Sequence, residues 1–173
     1  MKDILDVIVS RRSVKSFKNE MVDKKLIENV IKAGTYAPTG MNKQSPIILA
    51  ITNKEVRDNL SHIIADMRGV NIDPFYNAPV VLAVLAKKDV HTHVYDGSCV
   101  MENMLLEAHS LGLGACWIHH CKEVFETEYG KQLLNKLGIK GEYEGVGHCV
   151  LGYAEITPTT PLPRKNSYVY FVE

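Results

Sequence analysis

The sequence predicts a β-sheet covered by helices on both faces, and three observations carry that prediction. Two compact apolar runs, IILAIT at 47–52 and VVLAVLA at 80–86, lack the polar alternation of a half-exposed strand and read as strands buried on both sides. Segments with helical spacing of apolar residues alternate with such runs along the chain. The most apolar of them, from Asp96 to Leu111, has apolar side chains outside its main stripe and so calls for burial on more than one side.

The elements follow in order. Ile4, Leu5 and Ile8 recur at helical spacing behind Asp3, a candidate N-cap, and predict a short amphipathic helix ending before Arg11. A second helix is expected from Asp23 through Leu26, Ile27, Val30 and Ile31 to a stop near Gly34. The loop APTGMNKQSP occupies 37–46, and the first buried strand comes after it. Lys54 to about Asp66 reads as helix through Val56, Leu60, Ile63 and Ile64; RGVNIDPFYNAP at 68–79 then breaks regularity before the second strand. After the 96–111 helix, Gly112 and Gly114 precede a strand at 115–118. A helix over 124–137 and a strand over 148–154 complete the regular elements. The end of the chain, 156–173, is Pro-rich and extended, and finishes in Tyr168, Val169, Tyr170, Phe171 and Val172. An apolar end of this kind is expected to pack on a partner subunit.

With 173 residues, 46% of them hydrophobic and 23% charged, one globular domain with a full-sized core is expected. Lys+Arg and Asp+Glu number 20 each, which argues against a broad basic face for nucleic acid or for a membrane surface. The opening residues do not resemble a signal peptide, and the expected location is the cytoplasm. Cys99, Cys116, Cys121 and Cys149 have no CxxC spacing and read as reduced, packed thiols.

Against this neutral balance, RRSVKSF at 11–17 stands out. Arg11, Arg12, Ser13 and Lys15 put three cations and a hydroxyl within five residues, a pattern suited to a local anion such as a phosphate. Arg164 and Lys165 could fold back onto the same anion. The bland alternative is that a helix ending in Arg and Lys is favoured by its own dipole. No GxGxxG or GxxxxGK[ST] loop is present, so side chains have to hold the phosphate. GxSxG and HExxH are absent as well. His119, His120 and Cys121 are adjacent, and neighbours point to different sides of a helix or strand, so no metal site is expected.

Taken together, RRSVKSF at 11, APTGMNKQSP at 37, YDGSCVMENMLLEAHSLGLGACWI at 95–118, VGHCVLGY at 146 and PLPRK at 161 resemble the nitroreductase family of FMN enzymes, in its short-chain branch. The resemblance spans nearly the whole chain. It implies an α+β fold, a three-layer α-β-α arrangement with a mixed central sheet, in an intertwined homodimer with FMN at the subunit interface. Residues 1–173 would then form a single FMN-binding domain whose 156–173 tail packs on the partner. Carried over by position, Arg11 and Ser13, with Arg12 beside them, would bind the FMN phosphate together with Arg164 or Lys165. Lys15 would lie under the pyrimidine edge of the flavin, where a cation stabilises the reduced, anionic ring. Pro38, Thr39, Asn42 and Gln44 would cover the flavin of the opposite subunit. Gly114, Trp117 and Ile118 match the segment whose backbone approaches the ring. For Trp117, Pro38, Asn42 and Gln44 an ordinary core or loop role stays open.

The implied activity is hydride transfer from NADH or NADPH through FMN to an acceptor such as a nitroaromatic or quinone, with ping-pong kinetics and no obligatory catalytic side chain. Phe75 and Tyr76, in the 68–79 segment, are candidate substrate contacts of a lid; a plain surface loop is the alternative. Rival readings are reductive dehalogenation or flavin fragmentation on the same scaffold, and a flavin store or sensor without turnover.

Overall fold

A computed structural model of the chain describes residues 3–173. Its helices are α1 (Ile4–Ser10), α2 (Lys24–Thr35), α3 (Lys54–Arg68), α4 (His93–Ser110), α5 (Cys121–Glu126) and α6 (Glu128–Lys136). The strands are β1 (Pro46–Ile51), β2 (Val80–Lys87), β3 (Gly114–Ile118) and β4 (Tyr143–Gly152), in spatial order β1-β2-β4-β3.

β2 explains why its run carries no polar residue. Val81, Ala83 and Leu85 pack with Leu60 and Ile64 of α3 and Val124 and Phe125 of α5, while Val80, Leu82 and Val84 pack with Val30 of α2 and Val100, Met101 and Met104 of α4. A strand with both faces in a core has no position left for polar alternation. The expected covering of the sheet on both faces is thus present. The sheet expected to be mixed is antiparallel across all four strands, and its parallel component is a single bridge between Ser13 and Ala115.

Four elements differ from expectation for identifiable reasons. The helix expected over 124–137 is two helices, because Thr127 adopts an extended conformation and its Oγ1 accepts from the Gly130 amide at 3.1 Å, capping α6 afresh. The strand expected from 148 starts at Tyr143. It carries a bulge opposite Val84 and Leu85 that leaves Val146 out of register and against Gly97 of α4. α4 starts at His93, before Asp96, with Thr92 in the N-cap position and its hydroxyl donating to the Asp96 carboxylate at 3.0 Å. In α1 only Val7 is buried; Ile4, Leu5, Ile8 and Val9 find no cover in their own chain.

After α1 the chain runs along the β3 edge of the sheet. Val14 donates its amide to Ala115 at 3.0 Å, and Lys18 donates to Tyr153 at 2.9 Å just beyond β4. The RRSVKSF segment is therefore held along the sheet edge by isolated bridges at Ser13 and Phe17. Residues 156–173 form no helix or strand and lie exposed. No helix among the described residues is long and apolar enough to cross a membrane.

Candidate cofactor-binding site

Arg11, Arg12, Gly114, Ala115, His109 and Thr157 are among the residues that line a cleft of about 140 Å³ at the β3 edge. Arg11 leans toward Glu102 of α4, Nε to Oε1 3.9 Å, and Arg12 turns Nη1 back to the carbonyls of Val9 and Arg11 at 2.9 and 2.6 Å. The Nε atoms of both arginines are buried and without a hydrogen-bond partner. Two guanidinium groups that line a cleft with their Nε hydrogen-bonding capacity unused, Arg11 offset only by Glu102 at 3.9 Å, suit an anion. A space of this size suits a phosphate, not a three-ring system, so a flavin held here would have its ring outside the cleft.

Gly114 makes this packing possible. A Cβ at that position would lie 2.9 Å from Val14 Cγ1, so the close approach of segment 11–18 to the sheet requires glycine. The space over Gly114 that the sequence reserved for main chain against a flavin is taken, within the chain, by Val14.

Ser13 and Lys15 come next along the edge, beside Cys116. Burial holds the Cys116 thiol above its ordinary value, and Ser13 and the charges of Lys15 and Arg11 act in the opposite sense. Lys15 also meets an element that sequence reasoning treated separately: its Nζ lies 5.9 Å from the centre of the Tyr76 ring.

The pair expected to contact a substrate divides here. Tyr76 is half-buried next to Lys15. Phe75 is corrected to a core residue, fully buried with its ring 5.3 Å from that of His148 and 5.4 Å below the Arg57 guanidinium. Ile118 belongs to the same core, and Trp117, 36% exposed, lies over Gly147.

Pro38, Thr39, Asn42 and Gln44 do not join the Arg11 cleft within one chain. Their loop is held by Asp96, a buried carboxylate that accepts from the Gly40 amide and the Thr92 hydroxyl, both at 3.0 Å. Gly40 sits so close to Thr92 that a Cβ would meet Oγ1 at 2.4 Å. Met41, Asn42 and Gln44 all take positive φ, 52°, 53° and 48°, which displays the loop outward. Arg164 and Lys165 likewise stay away from the cleft; Lys165 lies 5.6 Å from the ring of its neighbour Tyr168.

Sequence reasoning missed Asp96, Arg57 and Asp73. Asp73-Pro74 is a turn-starting pair and could have marked the last of these; nothing local marked Arg57.

Comparison with known proteins decides the family. The model of the nitroreductase family matches residues 8–69 and 65–153. The chain belongs to the nitroreductase family. Among relatives of this nitroreductase-family chain, an Archaeoglobus fulgidus protein, named as a candidate NADH dehydrogenase/NAD(P)H nitroreductase, is 27% identical over 171 residues, covering 97% of this chain and 91% of its own. A Methanothermobacter thermautotrophicus protein of the same name is 28% identical over 119 residues, 66% of this chain and 60% of its own length. A nitroreductase from Bacteroides fragilis, solved with bound FMN, shares the fold at a TM-score of 0.87 with 24% identity over the full length of both chains.

Proposed function

We propose that this protein is an FMN-dependent NAD(P)H oxidoreductase that works as a homodimer in the cytoplasm. The observation that carries the reading is the cleft lined by Arg11 and Arg12, two guanidinium groups whose Nε atoms have no hydrogen-bond partner, in a chain of the nitroreductase family. The FMN bound in the Bacteroides fragilis neighbour and the NAD(P)H named for the relatives support the choice of cofactor and donor. Bound FMN would supply a ring that takes hydride from NADH or NADPH and gives it to an organic acceptor such as a nitroaromatic or quinone, in a ping-pong sequence.

The residues of the chain bind and orient. Arg11, Arg12 and Ser13 would hold the phosphate, and Lys15, beyond the cleft along the same edge, would supply a cation to the pyrimidine side of the ring. Its ammonium favours the electron-rich form of the cofactor. Pro38, Thr39, Asn42 and Gln44, displayed outward by the Asp96 anchor, cover the flavin of the second subunit. The tail brings Arg164 and Lys165 to a phosphate only across the dimer, consistent with its exposure in one chain.

Stopped-flow mixing of the purified yellow protein with NADH and with NADPH tests the reading. Flavin absorbance is expected to bleach and to recover on adding menadione or a nitroaromatic. Arg11→Ala and Arg164→Ala are each expected to weaken FMN retention by about 1.5–3 kcal/mol. A colourless protein that ignores FMN in a fluorescence titration rejects the assignment, and a yellow one that neither nucleotide bleaches is a flavin binder without this turnover.

A further inference from the structure

The connection between α3 and β2 has no regular structure, yet it is tied down by a cluster of side-chain hydrogen bonds. Asp73 is its centre. Oδ1 accepts from the Ser61 hydroxyl at 2.6 Å and the Phe75 amide at 2.9 Å; Oδ2 accepts from the Asn77 amide at 2.6 Å and from Arg57 Nη2. Arg57 is itself buried and gives Nε to the Ala78 carbonyl at 3.1 Å. Burial raises the Asp73 carboxyl, but the bonds from Arg57, Ser61, Phe75 and Asn77 outweigh it and hold the group below its ordinary value. With Phe75 driven into the core on one side of this knot, Tyr76 and Asn77 take φ of 55° and 60°, which non-glycine residues adopt only where their surroundings hold them. The Tyr76 ring is thereby delivered to the Lys15 ammonium.

We propose that Asp73 is a positioning residue for Lys15, holding the Tyr76 ring against the ammonium and so fixing the cation beside the flavin. This rests on the reading of Lys15 given under Proposed function. Lys15 is exposed, and the Tyr76 ring lies 5.9 Å from its ammonium on a long side chain with many solvated rotamers. Without the ring it exchanges among solvated rotamers, and the charge it places at the pyrimidine edge is diluted. The 68–79 segment, expected from sequence to be a substrate lid, is by this account a fixed strut.

The reduction potential of the FMN-loaded protein tests the proposal, measured for wild type, Tyr76→Leu, Tyr76→Phe, Asp73→Asn and the Tyr76→Leu/Asp73→Asn double variant. Tyr76→Leu is expected to lower the preference for reduced over oxidised FMN by about threefold to tenfold, tenfold being about 30 mV for a two-electron couple. Tyr76→Phe keeps the ring and should keep the potential. Asp73→Asn should shift it in the same direction as Tyr76→Leu, and the double variant should go no further than Tyr76→Leu alone. A wild-type potential in Tyr76→Leu or in Asp73→Asn, or additive shifts in the double variant, overturns the proposal. Should Asp73→Asn fail to fold, Ser61→Ala removes one donor to Asp73 and must still lower the potential; an unmoved value counts against it. A protein that takes up no FMN rejects this inference together with the functional reading. A yellow, NAD(P)H-reducible protein with unmoved potentials rejects the inference alone.

Discussion

The 69–79 connection and the 156–173 tail look alike in sequence, both carrying proline and aromatic residues without helical or strand period, and their fates in the fold are opposite. In the connection Phe75 is fully buried and Asp73 satisfies two backbone amides, a hydroxyl and a guanidinium. In the tail Leu162, Tyr168, Tyr170 and Phe171 are 82%, 70%, 81% and 85% exposed, and Lys165 over Tyr168 is a purely local contact. The difference teaches that irregular chain is fixed by a buried acceptor able to gather its amides, not by its aromatic content. Lacking such a group, the tail can be ordered only by surface from another molecule.

Breaking the clamp gives the largest expected effect. Asp73→Ala leaves the Phe75 and Asn77 amides and the Ser61 hydroxyl without their acceptor and takes from the buried Arg57 guanidinium one of its two carboxylates, Asp58 Oδ1 remaining 3.0 Å from Nη1, and is expected to cost about 3 kcal/mol or more in chemical denaturation. A loss under about 1 kcal/mol would show that the connection is held by Phe75 alone.

Acid sharpens the same contrast. His148 is fully buried between Phe75 and Phe125, neither ring nitrogen has a hydrogen-bond partner of good geometry, and burial pushes its pKa down from 6.5 to about 3. The unfolded chain therefore binds a proton that the folded chain refuses. Its stabilising contribution is complete above pH 6.5 and declines as pH falls from 6.5 toward 3, at up to about 1.4 kcal/mol per unit. Asp73, whose folded value is depressed, contributes above the ordinary carboxylate range and loses that contribution as pH falls through its folded value. Stability measured from pH 7 to 4 should fall in wild type and flatten in His148→Leu; parallel curves would remove His148 from the account.

A smaller effect is expected at the other anchored loop. Asp96→Ala leaves the Gly40 amide and the Thr92 hydroxyl without their acceptor, at about 1–3 kcal/mol, read by thermal unfolding. Removal of 161–173 should change the intrinsic stability of the body least, within about 0.5 kcal/mol. The same deletion should abolish the concentration dependence of melting and the retention of FMN. Truncated protein that stays dimeric and yellow would show that the tail has no role at the interface.

The basic cluster of the candidate site was legible because its charged side chains are concentrated in one short stretch. Arg11, Arg12, Ser13 and Lys15 lie within five residues, so one extended segment on the β3 edge suffices to bring them together. Arg57 and Asp73 are 16 residues apart, and Gly40 and Asp96 are 56 apart; no local period joins such partners. Phe75 and Tyr76 were indistinguishable as neighbouring aromatics. Their separation into core and edge follows from the turn that Asp73 imposes between them and the sheet.

Local spacing by itself located the helices and the two-faced burial of β2, since the pattern of apolar side chains states which surfaces must leave water; the buried strand read from IILAIT is corrected to an edge strand, β1, with Ala50 exposed. It also grouped Arg11, Arg12, Ser13 and Lys15 within five residues as candidate ligands of an anion. Tertiary structure alone decided the β1-β2-β4-β3 antiparallel order, the break at Thr127 and the bulge at Val146. It likewise decided that Lys15 faces Tyr76. These depend on which buried polar groups find partners when distant segments close on one another, a condition that hydrophobic periodicity does not encode.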